Sequence, residues 1–228
     1  LVGMSELYYE RNDLPAAVQC LMKAREQGEQ TGLPQNRYRW RVAMAHIRQA
    51  ESDQANAMAL LDEAERLYTT DFSPNARPVA AMKARLFAEQ GRLDEALDWA
   101  RKQKLTTADD LSYLHEFEHI TLAKILLTCF RRDREHSILS EISLLLDRLL
   151  KAAEVGGRVK SVIEIRILQT LIQYEQSDTN AALFSLKPAL AVAEAEGFVR
   201  IFVDEGKPME HLLREALLYK HHPNYTQK

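Results

Sequence analysis

Apolar residues along this chain recur at three- and four-residue spacings, as in Leu60, Leu61, Ala64 and Leu67. That period gathers them on one side of an α-helix. The stretches that carry it are rich in Ala, Leu, Glu, Arg and Gln, all strong helix formers. Breakers fall between them: Gly28, Gly32, Pro34, Pro74, Pro78, Gly91, Gly156, Gly157, Gly197, Gly206 and Pro208. Alternating strand-like patterning is confined to "FVRIFV" at 198–203, read as a short extended or tightly helical link. The pattern predicts an all-α protein.

The pattern also repeats. Ala17, Leu21 and Ala24 share their spacing with Ala57, Leu61 and Ala64, and with Ala182, Leu186 and Ala189. A shortened copy places Ala96 and Ala100 at the first two positions, and short turns ("RNDLP", "ESDQAN", "GRLDE", "SDTNA") precede the copies. A fourth unit fits between Ala96 and Ala182 if "RRDREHS" is an expanded turn. Small residues let antiparallel helices approach closely, and each helix pair leaves an apolar face for the next pair to cover. A superhelical α-α solenoid of about five tetratricopeptide-like hairpins follows, with a spacing of about 40 residues against the usual 34. Pro188 is expected to kink the last second-helix or to mark its start. The domain reading is a repeat stack over 1–197, then a linker and capping helix over 198–228. That helix is expected over 207–220, with Pro208 in its first turn.

Composition changes this picture little. A charge of −3 lacks the basic excess of a nucleic-acid-binding face, and no apolar run is long enough to span a membrane. The start "LVGMSELYYE" has neither an initiator Met nor a signal-peptide pattern, so the chain is read as a segment of a longer, cytoplasmic polypeptide. Cys20 and Cys129 are read as buried, reduced thiols.

Three phrases carry a family resemblance: "ALLDEAERLYTTDFSPNARPVAAMKARLFAEQGRLDEALDWARKQKL", "DDLSYLHEFEHITLAKILL" and "AVAEAEGFVRIFVDEGKPMEHLLREAL". Together they resemble the tetratricopeptide-like (MalT-type) region of the large ATP-dependent LuxR-family transcriptional regulators. The resemblance implies a sensor and interaction domain that binds a small-molecule inducer or a protein partner. It also implies ATP binding in an N-terminal part, DNA binding through a C-terminal helix-turn-helix, and self-association of the full-length protein. The chain contains no G-x4-G-K-[ST] phosphate loop, so no cofactor is expected in this segment.

Four features bear on chemistry. "HEFEH", His115 to His119, matches the zinc-peptidase pattern H-E-x-x-H. A third ligand is lacking, since the metzincin positions hold Leu122 and Ile125, and two helix-surface histidines on a packing stripe are expected. The carboxylates of "GRLDEALDW" read as a helix start, where the dipole favours Asp94 and Glu95. "NRYRWRVAMAHIR" alternates Arg37, Arg39 and Arg41 with Tyr38 and Trp40, but alternate helix positions point about 200° apart. The arginines are therefore expected to form no continuous groove. In tetratricopeptide superhelices the first helix of each pair lines the concave wall. One recurrent position there holds Glu6, His46, Arg85, Lys124 and Leu171, so His46, Arg85 and Lys124 are candidate contacts to an anionic ligand or acidic segment. No catalytic constellation stands out, and a non-enzymatic role is expected. A stand-alone adaptor that holds a partner's peptide is the competing reading; a metallopeptidase comes third.

Overall fold

The computed structural model describes residues 1–31, 34–68, 75–218 and 226, the side chains of 28–34 excepted. Among the described residues the chain is all-helical, with no strand. It divides into two compact units, Leu1–Trp99 and Ala100–Lys228. The first holds α1 (Val2–Glu10), α2 (Leu14–Thr31), α3 (Pro34–Ala50), α4 (Gln54–Leu67) and α5 (Val79–Glu89), and α6 (Leu93–Lys102) begins in it. The second holds a single 3-10 turn (Tyr113–His115), then α7 (Glu116–Asp133) and α8 (His136–Val155). It continues with α9 (Val159–Glu175), α10 (Thr179–Glu196), α11 (Arg200–Val203) and α12 (Lys207–Leu218).

Within the first unit α1 packs on α2, α3 on α4, and α1 on α3. The second unit repeats the arrangement: α7 on α8, α9 on α10, and α7 on α9. The first helix of the following hairpin also packs on the second helix of the one before, α3 on α2 and α9 on α8, which is the packing of a helical-repeat solenoid. The small-residue code lies at these contacts: Ala17, Leu21, Ala57, Leu61, Ala64, Ala96, Ala182, Leu186 and Ala189 are all buried. The copy hidden in α8 uses larger residues, Ile142, Leu146 and Leu149, and they are equally enclosed.

One turn recurs inside the hairpins. Asn12, Ser52, Gly91 and Ser177 adopt left-handed φ values of 62°, 64°, 74° and 62°. The next residue's N–H then donates to the carbonyl five positions back: Asp13 to Tyr8 (2.9 Å), Asp53 to Arg48 (2.8 Å), Arg92 to Phe87 (2.9 Å) and Asp178 to Gln173 (3.1 Å). This closes the first helix in a Schellman-type cap. Asp13, Asp53 and Asp178 then accept from the N–H of Ala16, Asn56 and Ala181, starting the second helix.

Several boundaries depart from expectation for local reasons. "RRDREHS" is no expanded turn: α7 runs to Asp133, left-handed Arg134 (φ 58°) ends it, and α8 starts at His136. The extra length sits instead between α6 and the 3-10 turn. α2 runs through Gly28, and α10 runs from Thr179 through Pro188, which therefore does not mark a start. The missing Pro188 N–H leaves the Phe184 carbonyl without its helical donor, on a surface where Phe184 is 81% exposed and solvent can serve it. "FVRIFV" takes the helical option as α11, and α12 covers α10 with buried Met209, Leu212 and Ala216. Pro34 opens α3 and Pro208 lies in the first turn of α12. Cys129 is buried, whereas Cys20 is only half-buried, and neither is in a disulfide. Gly32 and Pro74, read as breakers, and Lys220, read as the end of the cap, lie outside the described residues.

Candidate functional site

The first-helix positions come to different surroundings. In the first unit, Glu6 on α1 is exposed and lies 3.9 Å from Arg39. His46 on α3 is half-buried, its ring 5.9 Å from that of Tyr9, and Arg85 on α5 is half-buried. In the second unit, the Lys124 ammonium donates to Glu205 at 2.6 Å and lies 3.5 Å from Glu164, whose side chain is 6% exposed. Leu171 is buried in the core. Lys124 thus joins α7 to α9 and to the turn after α11, its charge already matched by two carboxylates.

"HEFEH" does not lie on one helix. His115 belongs to the 3-10 turn and α7 begins at Glu116. His115 is exposed, as expected, and its Nδ1 lies 2.5 Å from Glu118. His119 corrects the expectation of a surface residue, being 2% exposed. Its Nδ1 faces the His115 carbonyl at 2.9 Å and its Nε2 faces Asp109 at 3.1 Å. Both ring nitrogens are turned to oxygen acceptors within the chain, where a metal ligand would turn one to the ion. Glu116 is a structural hub: its carboxylate accepts from Arg158 Nε (2.7 Å) and Ser161 (2.6 Å), tying the start of α7 to the start of α9. Among the described residues no group of three His, Cys, Asp or Glu is placed to hold a metal ion.

His119 also secures the segment before the 3-10 turn. Asp109 accepts from the Thr106 amide (2.9 Å) and hydroxyl, and Arg148 of α8 donates to the carbonyls of Thr107 (3.1 Å) and Asp109. The Thr106 donors, with a smaller contribution from His119, hold the Asp109 carboxyl below its usual range despite an opposing push from burial.

The arginine run produces the feature that periodicity missed. Arg39 does turn toward Glu6 of α1, and Arg41 toward Glu63 of α4 at 2.7 Å, as alternation requires. Yet both sides of the N-terminal end of α3 border one cleft of about 970 Å³, into which α2 contributes Arg25. Arg25, Arg37, Arg39 and Arg41 all line it, along with Trp40 and Glu63. The expectation of no shared groove fails because the cleft is made by four helices, and helical-wheel geometry considers only one. Trp40 is fixed by its Nε1–H, which donates to the Leu21 carbonyl at 2.8 Å, and the Arg25 guanidinium lies 5.6 Å from its ring centroid.

No curated protein matches the chain. The sequence profile of the MalT-like TPR region matches residues 1–218, a span that takes in the twelve described α-helices, and the chain therefore belongs to that family of helical-repeat domains.

Proposed function

We propose that this chain is the sensor and protein-interaction region of a bacterial LuxR-family, MalT-like transcriptional regulator. The observation that carries this reading is the family match over residues 1–218, supported by hairpins whose first helices pack on both helices of the hairpin before. Regions of this type are typically non-catalytic, and the role assigned here is binding without chemistry. Residues 1–197 form the repeat stack that takes an inducer or protein partner, and 198–228 link and cap it. ATP binding belongs to an N-terminal part and DNA binding to a C-terminal part of the longer, cytoplasmic polypeptide, and self-association to the full-length protein. His46, Arg85 and Lys124 are the proposed ligand contacts; at Lys124 an anionic ligand would replace Glu205 as the partner of the ammonium.

The test combines melting of the chain across candidate metabolites with a promoter reporter driven by the full-length regulator. A state-selective ligand raises Tm by mass action, and Arg85→Ala with Lys124→Ala is expected to lower both the shift and the induction. If no candidate shifts Tm and the double variant leaves induction unchanged, the sensor reading falls.

A further inference from the structure

Arg25, Arg37, Arg39 and Arg41 line the cleft between α1, α2, α3 and α4, and Glu63 is the one acidic residue in its described lining, with Glu6 lying 3.9 Å from Arg39. The whole chain carries a net charge of −3, so this is a local concentration of positive charge against the general balance. Arg41 is steadied by Glu63 and by its own donation to the Arg37 carbonyl at 3.2 Å. Arg37 itself is exposed and has no ion-pair partner among the described residues. Beside these groups the lining is mixed: the Trp40 indole, Leu60 and Leu67 give it an apolar wall, and Gln27 and Asn36 add side-chain amides. A volume of about 970 Å³ lies at the upper end of small-molecule sites, far more than a lone inorganic ion needs.

We infer that this cleft binds a small organic phosphate, with Arg37 and Arg41 on the phosphate and Trp40 and Leu60 against its apolar part. Guanidinium forks match the paired oxygens of a phosphate dianion, and several forks at one site suit its double charge better than a single carboxylate. The apolar wall explains why the occupant is an ester: an unsubstituted phosphate would leave that surface without a partner. This site is distinct from the His46, Arg85 and Lys124 positions.

Isothermal titration of the whole chain with phenyl phosphate, inorganic phosphate and hexaglutamate tests the inference, with Trp40 fluorescence as a second readout. Saturable binding of phenyl phosphate is expected, weaker binding of inorganic phosphate, and a loss of tenfold or more in Arg37→Gln, deeper in Arg37→Glu. Arg37 is exposed, so both variants are expected to keep the far-UV spectrum of the parent. Arg132→Gln, in the other unit, is expected to bind as the parent does. The inference is overturned by absence of saturable phenyl phosphate binding, by unchanged affinity in both Arg37 variants, or by an equal loss in Arg132→Gln. Tighter binding of hexaglutamate than of phenyl phosphate would also overturn it, in favour of an acidic peptide. None of these readouts involves a promoter, so failure here is separable from failure of the regulatory reading.

Discussion

Asp109 collects donors from Thr106 and His119, and each favours its ionised form. Because the folded carboxyl titrates below the unfolded one, it contributes stability that is complete above the ordinary carboxylate range, about pH 4. That contribution is lost as pH falls through the folded value. Asp53 behaves in the same sense through the side chain and backbone N–H of Asn56. Asp109→Asn is therefore expected to lower stability at neutral pH and to flatten its decline on acidification, measured by urea unfolding at several pH values. An unchanged acid slope would mean that the Thr106–His119 contacts do not hold in solution.

The left-handed turn residue inside each hairpin offers an internal comparison. Gly91 fills it at no steric cost, whereas Ser52 and Ser177 place a Cβ in a conformation that L-residues resist. Ser177→Gly is expected to stabilise by about 1 kcal/mol, read as a higher urea midpoint at constant slope. The second helices carry the opposite sensitivity. Leu146 is fully buried in α8, and Leu146→Ala is expected to cost about 2–5 kcal/mol through lost transfer energy and the cavity left behind.

These helices were legible in the sequence wherever spacing alone decides the packing. Ala57, Leu61 and Ala64 announce their helix because only small residues permit the close approach made there. Ile142, Leu146 and Leu149 occupy the same register without marking it, since a bulky residue at a contact position looks like any other core residue. The length inserted before α7 has no local signature for a related reason. A loop fastened by Arg148 and His119 owes its order to distant residues, and local composition carries no sign of them. The arginine cleft is illegible for the same cause, as Arg25 of α2 and Arg37 of α3 border one cleft only once the helices are packed.

The molecule as a whole comprises two compact units, each with its own buried residues. In helical repeats stability is close to a sum of local and nearest-neighbour terms. Both tryptophans, Trp40 and Trp99, belong to the first unit, while helices of both units contribute to circular dichroism. Leu146→Ala is consequently expected to move the dichroism transition further than the tryptophan transition in the same urea series. Equal displacement of the two would show the whole chain to unfold as one cooperative block.

The two cysteines add a further consequence. Cys20 lies in one unit and Cys129 in the other, and neither is bonded to a partner sulfur. A thiol reagent can reach the enclosed Cys129 only when its surroundings open, while half-covered Cys20 reacts on its own clock. Alkylation rates followed by mass spectrometry would thus time the breathing of each half separately, with no label or substitution introduced.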